Sequence, residues 1–388
     1  MEKVWIKKGR EKSVLKNHLW IFSGAINKVS GNPPKGSPVK IFSHNDEFLG
    51  VGTINTDSQV TVRILSRKDV VPDYNFFESK ILDSYKIRQP FFSEETDCYR
   101  IFNTEGDGIS GLIIDKYDDI MVIQCLNAGV EYYKKEIIDS LENLFNPSII
   151  IERSEVRDRV EGAGIKKIWK QEKEIKNSLL KENNLYFLFD PVNGHKTGWY
   201  IDQRENRKTI RKISKGKNVL DCFCYTGGFG INALEGEATS VTFVDDSKEA
   251  IKTAISNCEL NKKNLKNAEF LCENVFEYLR NETEKFDIII LDPPAFAPKR
   301  VTQLKAEKGY KEINTQAMKL LKDGGILVSF SCSPHITSEN FQKILFKASC
   351  NAKRDFRIIS KTSHQFDHPI NIYVPETEYL KGIMGIIN

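Results

Sequence analysis

The chain has 388 residues, 40% hydrophobic and 28% charged, with a net charge of +4; this is the composition of a soluble globular protein long enough for two or three separately cored domains. No run approaches the ~18 apolar residues that a membrane span needs, and the N-terminal MEKVWIKKGREK lacks the apolar centre of an export signal, so a cytoplasmic protein with no membrane partner is expected. Eight cysteines (98, 125, 222, 224, 258, 272, 332, 350) include no C-x-x-C pair and fall mostly inside predicted elements, which favours free thiols over bridges and predicts no metal.

Residues 1–72 read as short β segments. NPPKGSP is a turn cluster, KIFSHNDEFLGVGTIN a hairpin closed at Asn45 and Asp46, and QVTVRIL an alternating strand. Residues 1–70 hold twelve Lys/Arg against six Asp/Glu, a net of +6, while the remainder is slightly acidic. A basic module on a near-neutral body fits a polyanion such as RNA as well as it fits a solvated basic face. Residues 73–190 change character. NFFESKILDSYKIR has helical spacing, GLIIDKYDDIMVIQCL reads as two strands about a turn, EYYKKEIIDSLENLF as a helix, and SIIIERS and NNLYFLFDP as further strands. Together they predict a central α+β unit.

From residue 191 to 388 strands and helices alternate. NVLDCF, VTFVD, EFLC, FDIIILD and GILVSFS are apolar runs of strand length, separated by helical stretches such as SKEAIKTAISNCELN and GYKEINTQAMKLLKD. The alternation predicts an α/β, doubly wound, Rossmann-like parallel sheet that binds ligands at the carboxyl ends of its strands. Three such ends stand out. In VLDCFCYTGGFG, Gly227 and Gly228 permit a tight turn and close approach of backbone to a ligand; the pattern is not G-x-G-x-x-G, which disfavours a dinucleotide site and with it a nicotinamide dehydrogenase. Asp245 ends the next strand, where a carboxylate accepts both hydroxyls of a ribose. LDPPAFAPKR puts Asp292 at the end of the fourth strand with the backbone fixed by Pro293 and Pro294; Phe296 could stack on a base, and Lys299 and Arg300 could meet phosphates.

These motifs resemble, in order and over nearly the whole chain, the RlmI-type methyltransferases of large-subunit (23S) ribosomal RNA. KKGREKSVLKNHLWIFSGAI is similar to that family's RNA-binding PUA barrel, and NTEGDGISGLIIDKYDD and RSEVRDRVEG to its central domain. KTGWYIDQRENR, DCFCYTGGFG, VDDS, ENVF, LDPPAF, SFSCS and DHPINIYVPETEYLKG are similar to its class I methyltransferase domain. The resemblance implies S-adenosylmethionine as cofactor, with Gln203 and Arg204 at its amino-acid end and Asp221, Phe223, Gly227, Gly228 and Asp245 around it. Asn274 stands where the family often has the aspartate that meets adenine. It also implies transfer of a methyl group to carbon 5 of a cytosine. That chemistry needs a cysteine to add to carbon 6 and turn the ring into an enamine. Cys332, after the fifth strand, would serve, with Asp292 hydrogen-bonding the base. Some RNA cytosine methyltransferases carry a second cysteine after the two prolines; Ala295 stands there here, so Cys332 would act alone. A lone thiol at the end of an apolar run is by itself more often inert packing. Two other readings stay open: methylation of an exocyclic base amine, and a non-catalytic RNA-binding assembly factor that keeps a cofactor fold. The oligomeric state is not set by the sequence, a homodimer being one candidate.

Overall fold

The computed structural model describes residues 1–155, 166–175, 178–296 and 303–388. Two units emerge. The first comprises Met1–Glu182, Phe189–Asp202 and Phe366–Thr377, the second Asn183–Leu188, Gln203–Gln365 and Glu378–Asn388. Residues 189–202 and 366–377 therefore belong with the N-terminal regions despite their late place in the chain.

In the first unit, a six-stranded sheet runs in the order Trp20–Phe22, Val60–Ser66, Phe48–Ile54, Pro38–Phe42, Glu2–Ile6, Ile26–Val29. Alternate residues such as Val4, Ile6, Val39, Ile41, Val62 and Ile64 point into one core, as a period of two requires. The hairpin expected at Asn45 and Asp46 forms, with Phe42 opposite Phe48 and Asp46 left-handed at φ 63°. A second sheet orders Lys166–Gln171, Ile149–Arg153, Ile120–Cys125, Leu112–Tyr117 and Cys98–Asn103. Its outer strands fall outside the strands read from the sequence. Cys98–Asn103 is buried at every position and Lys166–Gln171 is a largely exposed edge, so neither shows alternation. The helix Tyr74–Arg88 starts where Asp73 accepts the Phe76 N–H at 3.0 Å, an N-cap that ends the preceding extended segment.

Buried ions tie the late segment 366–377 into this unit. Arg88, 1% exposed, forms a two-pronged pair with Asp107 at 2.7 and 3.0 Å and donates to the Asp367 carbonyl at 2.9 and 3.2 Å. The Asp367 carboxylate accepts the Arg100 N–H at 3.2 Å and lies 2.9 Å from His368 Nδ1. Burial lowers the basicity of His368. Elsewhere in the unit, Cys125, Glu131 and Glu152 bring ligand atoms within 4.8 Å of one another, but the Lys134 ammonium bonds Glu152 at 2.8 Å and also Glu131, supplying the compensating charge.

The second unit is built on strands β1 (Asn218–Cys222), β2 (Ser240–Asp245), β3 (Ala268–Cys272), β4 (Phe286–Leu291), β5 (Leu321–Ser331), β6 (Phe356–Thr362) and β7 (Lys381–Ile387). Its helices are α1 (Arg204–Ile213), α2 (Gly228–Glu235), α3 (Lys248–Leu260), α4 (Val275–Asn281), α5 (Gln303–Leu320) and α6 (Ser338–Ala352). The strand order is β3-β2-β1-β4-β5-β7-β6. Strands β1 to β5 are parallel; β7 runs antiparallel to both its neighbours, so the expected parallel sheet is mixed at one edge. The central runs are unbroken apolar stretches, with Ile288, Ile289, Ile290 and Leu291 all fully buried, because both faces of the sheet are covered. The order reverses between β1 and β4, and a crevice opens beyond the carboxyl ends of the strands at such a switch point. Among the described residues no helix is long and apolar enough to cross a membrane.

Candidate active site at the carboxyl edge of the second sheet

The turn after β1 is forced into an unusual path. Phe223 (φ 60°), Tyr225 (φ 49°) and Gly227 (φ 85°) are all left-handed, a conformation that costs a non-glycine residue about 1–2 kcal/mol. Three bonds hold it: the Cys224 N–H donates to Val244 O (3.2 Å), the Gly227 N–H to Cys224 O (2.9 Å), and the Tyr225 N–H to Asp245 Oδ2 (2.9 Å). Helix α2 then begins beneath β2, and a Cβ on Gly230 would stand 2.5 Å from Phe243 Cζ; only glycine allows helix and strand to approach this closely. The predicted Gly227 and Gly228 thus sit where the chain turns from strand to helix.

Asp221 lies at the floor of the turn, fully buried. Its Oδ2 accepts the Gly230 N–H at 2.8 Å, and its Oδ1 has no partner among the described residues. Burial pushes its carboxyl up to about 8; the charges of Asp292 and Asp245 push the same way, against the Gly230 N–H and Arg207. Three carboxylates therefore converge on one crevice, and a cation placed there would relieve the strain on Asp221. S-adenosylmethionine brings an ammonium, a sulfonium and a ribose diol, and the donor set fits it. Asp245 accepts the Tyr225 N–H on Oδ2 and the Ser247 N–H on Oδ1, which fixes the direction of its carboxylate.

Around this floor the other predicted residues fall as follows. Arg204 is 2% exposed at the start of α1, so it is no surface charge. Gln203 is equally buried, and both ends of its amide are engaged: Nε2 donates to Asp292 Oδ1 at 3.1 Å and Oε1 accepts from Asn206 at 2.6 Å. Its direct partner is thus the carboxylate of Asp292. Asn274 is exposed, and its Oδ1 caps α4 through the N–H groups of Phe276 (3.0 Å) and Glu277 (3.3 Å). Asn followed three residues later by Glu was the legible sign of that cap. Pro293 is buried and Pro294 exposed. Phe296 is not a free stacking platform: its ring centroid lies 4.7 Å from Tyr310, 5.7 Å from Phe276 and 6.4 Å from Phe223, in an aromatic group packed on the core of the unit. Lys299 and Arg300 lie outside the described residues.

Cys332 follows β5, the neighbour of β4, and is half-buried, unlike the fully buried Cys222. Its Sγ lies 4.0 Å from the Pro293 carbonyl, so the thiol and the Asp292-Pro293-Pro294 turn share one mouth of the crevice. Ser331 and Ser333 on either side are fully buried, and the Tyr310 hydroxyl lies 3.0 Å from Ser333 Oγ. Burial, and then negative charge on Cys332, push the Tyr310 phenol up to about 12, so it stays a neutral donor at physiological pH. Neither Tyr310 nor Lys381, which opens β7 beside Ser331, was singled out by the sequence. The one visible signal was a lysine heading an apolar strand, KGIMGII.

Comparison with known proteins matches residues 4–67 to a PUA-like domain and residues 158–352 to an S-adenosylmethionine-dependent methyltransferase. Ribosomal RNA large subunit methyltransferase I of Aeromonas salmonicida is 40% identical over 389 residues, covering 98% of each chain. The protein of that name from Escherichia coli O9:H4 is 38% identical over 384 residues, covering 97% of each. Among solved structures, a candidate SAM-dependent methyltransferase from Streptococcus mutans superposes with a TM-score of 0.86 at 24% identity, and a candidate methyltransferase complexed with SAH with 0.87 at 23%. Both are covered completely, as is this chain. At that identity they show the fold alone, which is that of a class I S-adenosylmethionine-dependent methyltransferase behind a PUA-like barrel.

Proposed function

The chain belongs to the ribosomal RNA large subunit methyltransferase I family, and from that membership we propose that it methylates carbon 5 of a cytosine in large-subunit ribosomal RNA, with Cys332 as nucleophile. In this reading residues 1–72 carry the RNA-binding module, residues 73–190 the α+β region, and residues 191–388 the transfer chemistry. S-adenosylmethionine, when bound, supplies an electrophilic methyl group. Asp221 and Asp245 hold its cationic and ribose portions, the backbone of Phe223, Gly227 and Gly228 approaches it, Arg204 meets its carboxylate as a guanidinium fork can, and Nδ2 of Asn274 meets its adenine edge.

The observation that carries the proposal is the 4.0 Å approach of Cys332 Sγ to the Pro293 carbonyl, which sets a half-buried thiol beside the Asp292 turn. Carbon 5 of cytosine is a weak nucleophile. The Cys332 thiolate adds to carbon 6, its electron pair forming the S–C6 bond while N3 takes a proton, and the ring becomes an enamine whose carbon 5 would take the methyl group, the bond from methyl to sulfonium breaking with its pair left on the cofactor's sulfur. Loss of the carbon 5 proton to a base then breaks the S–C6 bond and restores the thiolate. Asp292, oriented by Gln203, accepts from the N4 amino group of the base and, carrying a proton, donates to N3. The protein's contribution is alignment, since effective molarities of well-held reactants reach roughly 10⁵ M or more. The target base leaves its stack before the thiol reaches it, and the basic barrel grips the surrounding RNA through backbone and shape. The rival reading, an exocyclic amine stacked on an aromatic after Asp-Pro-Pro, is weakened by the enclosure of Phe296 within its aromatic group.

The test is methyl transfer from radiolabelled cofactor to ribosomal RNA by Cys332→Ala. A loss of about 10⁴-fold or more is expected for removing a nucleophile, and 5-fluorocytosine RNA should trap the intact protein covalently. Undiminished transfer by Cys332→Ala would sink the mechanism.

A further inference from the structure

Lys381 is 5% exposed and stands directly opposite Ser331, the residue before Cys332, in the antiparallel pairing of β5 with β7. Its ammonium donates to the Ser333 carbonyl at 2.8 Å and to the Tyr379 carbonyl at 2.7 Å. These bonds use two of its three N–H groups, and carbonyls balance no charge. Among the described residues Lys381 forms no ion pair with a carboxylate, and a buried ammonium without a counter-charge is expensive to keep. Burial pulls its pKa down to about 8, while negative charge on Cys332, and to a lesser extent on Glu378, supports the protonated form. Among the described residues the thiol lies beside the turn that Asp292 and Pro293 make, Tyr310 from α5 and Lys381 both feel negative charge placed on it, and Glu378 acts on Lys381. Of these groups Tyr310 stays neutral and Lys381 is the cationic one.

We propose that Lys381 is a positioning residue for Cys332: its ammonium holds the sulfur as thiolate, and its carbonyl bonds fix the turn that carries the sulfur. The inference rests on the reading of Cys332 as nucleophile. The thiol proton passes to water, Lys381 keeps all three of its protons, and the sulfur electron pair is then available to carbon 6. When the S–C6 bond breaks, that pair returns to sulfur beside the same ammonium, which makes Cys332 a better leaving group as well as a better nucleophile.

The pairing is tested without RNA, so its failure is separable from failure of the methylation mechanism. Full-length protein is alkylated with iodoacetamide from about pH 5 to pH 10, across the range in which thiols ionise, and modification is read peptide by peptide. The exposed Cys272 and Cys350 serve as internal references. An opposite charge nearby shifts a pKa by about one unit or more, so Lys381→Met should raise the Cys332 midpoint by about one pH unit and cut its alkylation at neutral pH about tenfold. Lys381→Arg, which keeps the charge, should restore most of the loss, and the reference cysteines should not move. A Cys332 midpoint unchanged in Lys381→Met that still binds S-adenosylmethionine overturns the inference. If that variant does not fold, the wild-type profile decides: a Cys332 midpoint below that of Cys272 supports the pairing, and one at or above it refutes it.

Discussion

Replacing Gly230 by alanine sets two opposing effects against each other. Alanine is the better helix former by about 1 kcal/mol in a helix interior, and Gly230 lies inside α2. The added methyl, however, would stand 2.5 Å from Phe243 Cζ and 2.8 Å from Cδ1, closer still to Cε1. Phe243 cannot simply withdraw: it is fully buried and stacked on Phe270 at 4.7 Å with 12° between the planes. Overpacking of this kind costs roughly 1–3 kcal/mol, and more where nothing yields. Taking about 3 kcal/mol for the clash and about 1 kcal/mol for the propensity gain leaves a net loss near 2 kcal/mol. A unit of this size loses about 2–4 °C per kcal/mol, so the melting temperature should fall by about 4–8 °C. Because the same displacement moves the Gly230 N–H away from Asp221, calorimetric affinity for S-adenosylmethionine should fall as well. A melting temperature unchanged or raised, with affinity intact, would show that propensity outweighs the clash and that close approach of α2 to β2 does not set the cofactor turn.

Asp221→Asn keeps the shape of the turn but removes its titration. The folded-state pKa, about 8, lies above the ordinary 3.8, so the proton bound by the native state stabilises it below that ordinary value, and the contribution is lost as pH rises toward 8. In cofactor-free protein the wild-type melting temperature should therefore decline over that window more steeply than that of the Asn variant; parallel profiles would refute the assignment. Arg88→Met leaves the nearly buried Asp107 without its partner and frees the Asp367 carbonyl, a loss of about 3–5 kcal/mol, measured by urea unfolding, with protease cleavage within residues 366–377 appearing before any in the second unit. Gln203→Leu removes the donor to Asp292 and should lower kcat by about tenfold with little change in cofactor affinity; a loss confined to affinity would make Gln203 a cofactor ligand instead.

The elements that were legible in the sequence are those whose burial follows one rule along their length. The parallel strands read from their apolar stretches, unbroken in FDIIIL of β4 and ILVSF of β5 and shortest in the half-exposed AEFLC of β3, and the glycine turn read because its glycines fall between a strand and a helix. What escaped were elements whose pattern is set by partners far along the chain. Cys98–Asn103 is buried throughout and alternates nothing, while β6 alternates but with half-exposed and exposed residues. Strand β7 admits Gly382 and Gly385, whose added methyls would collide with Phe330 and Phe356, a constraint no local window contains. At the site, the positions of Cys332 and Asp292 on neighbouring strand ends followed from strand order alone. Gln203 orienting Asp292, the enclosure of Phe296 and the presence of Lys381 beside Ser331 depend on side-chain geometry between segments as distant as residues 203 and 292.

The segment 366–377, pinned by Arg88 and Arg100, has a consequence for biogenesis. As the chain emerges from N-terminus to C-terminus, the first unit cannot close when its own sheets are complete. It waits until the helices and first six strands of the second unit have been made, because its last piece is encoded after them. Residues 378–388 then deliver β7 and its Lys381 to the second unit. Maturation of both units is thereby gated by the same late stretch of translation, and a nascent chain halted before residue 366 holds neither a complete first unit nor the strand that sets Lys381 opposite Ser331.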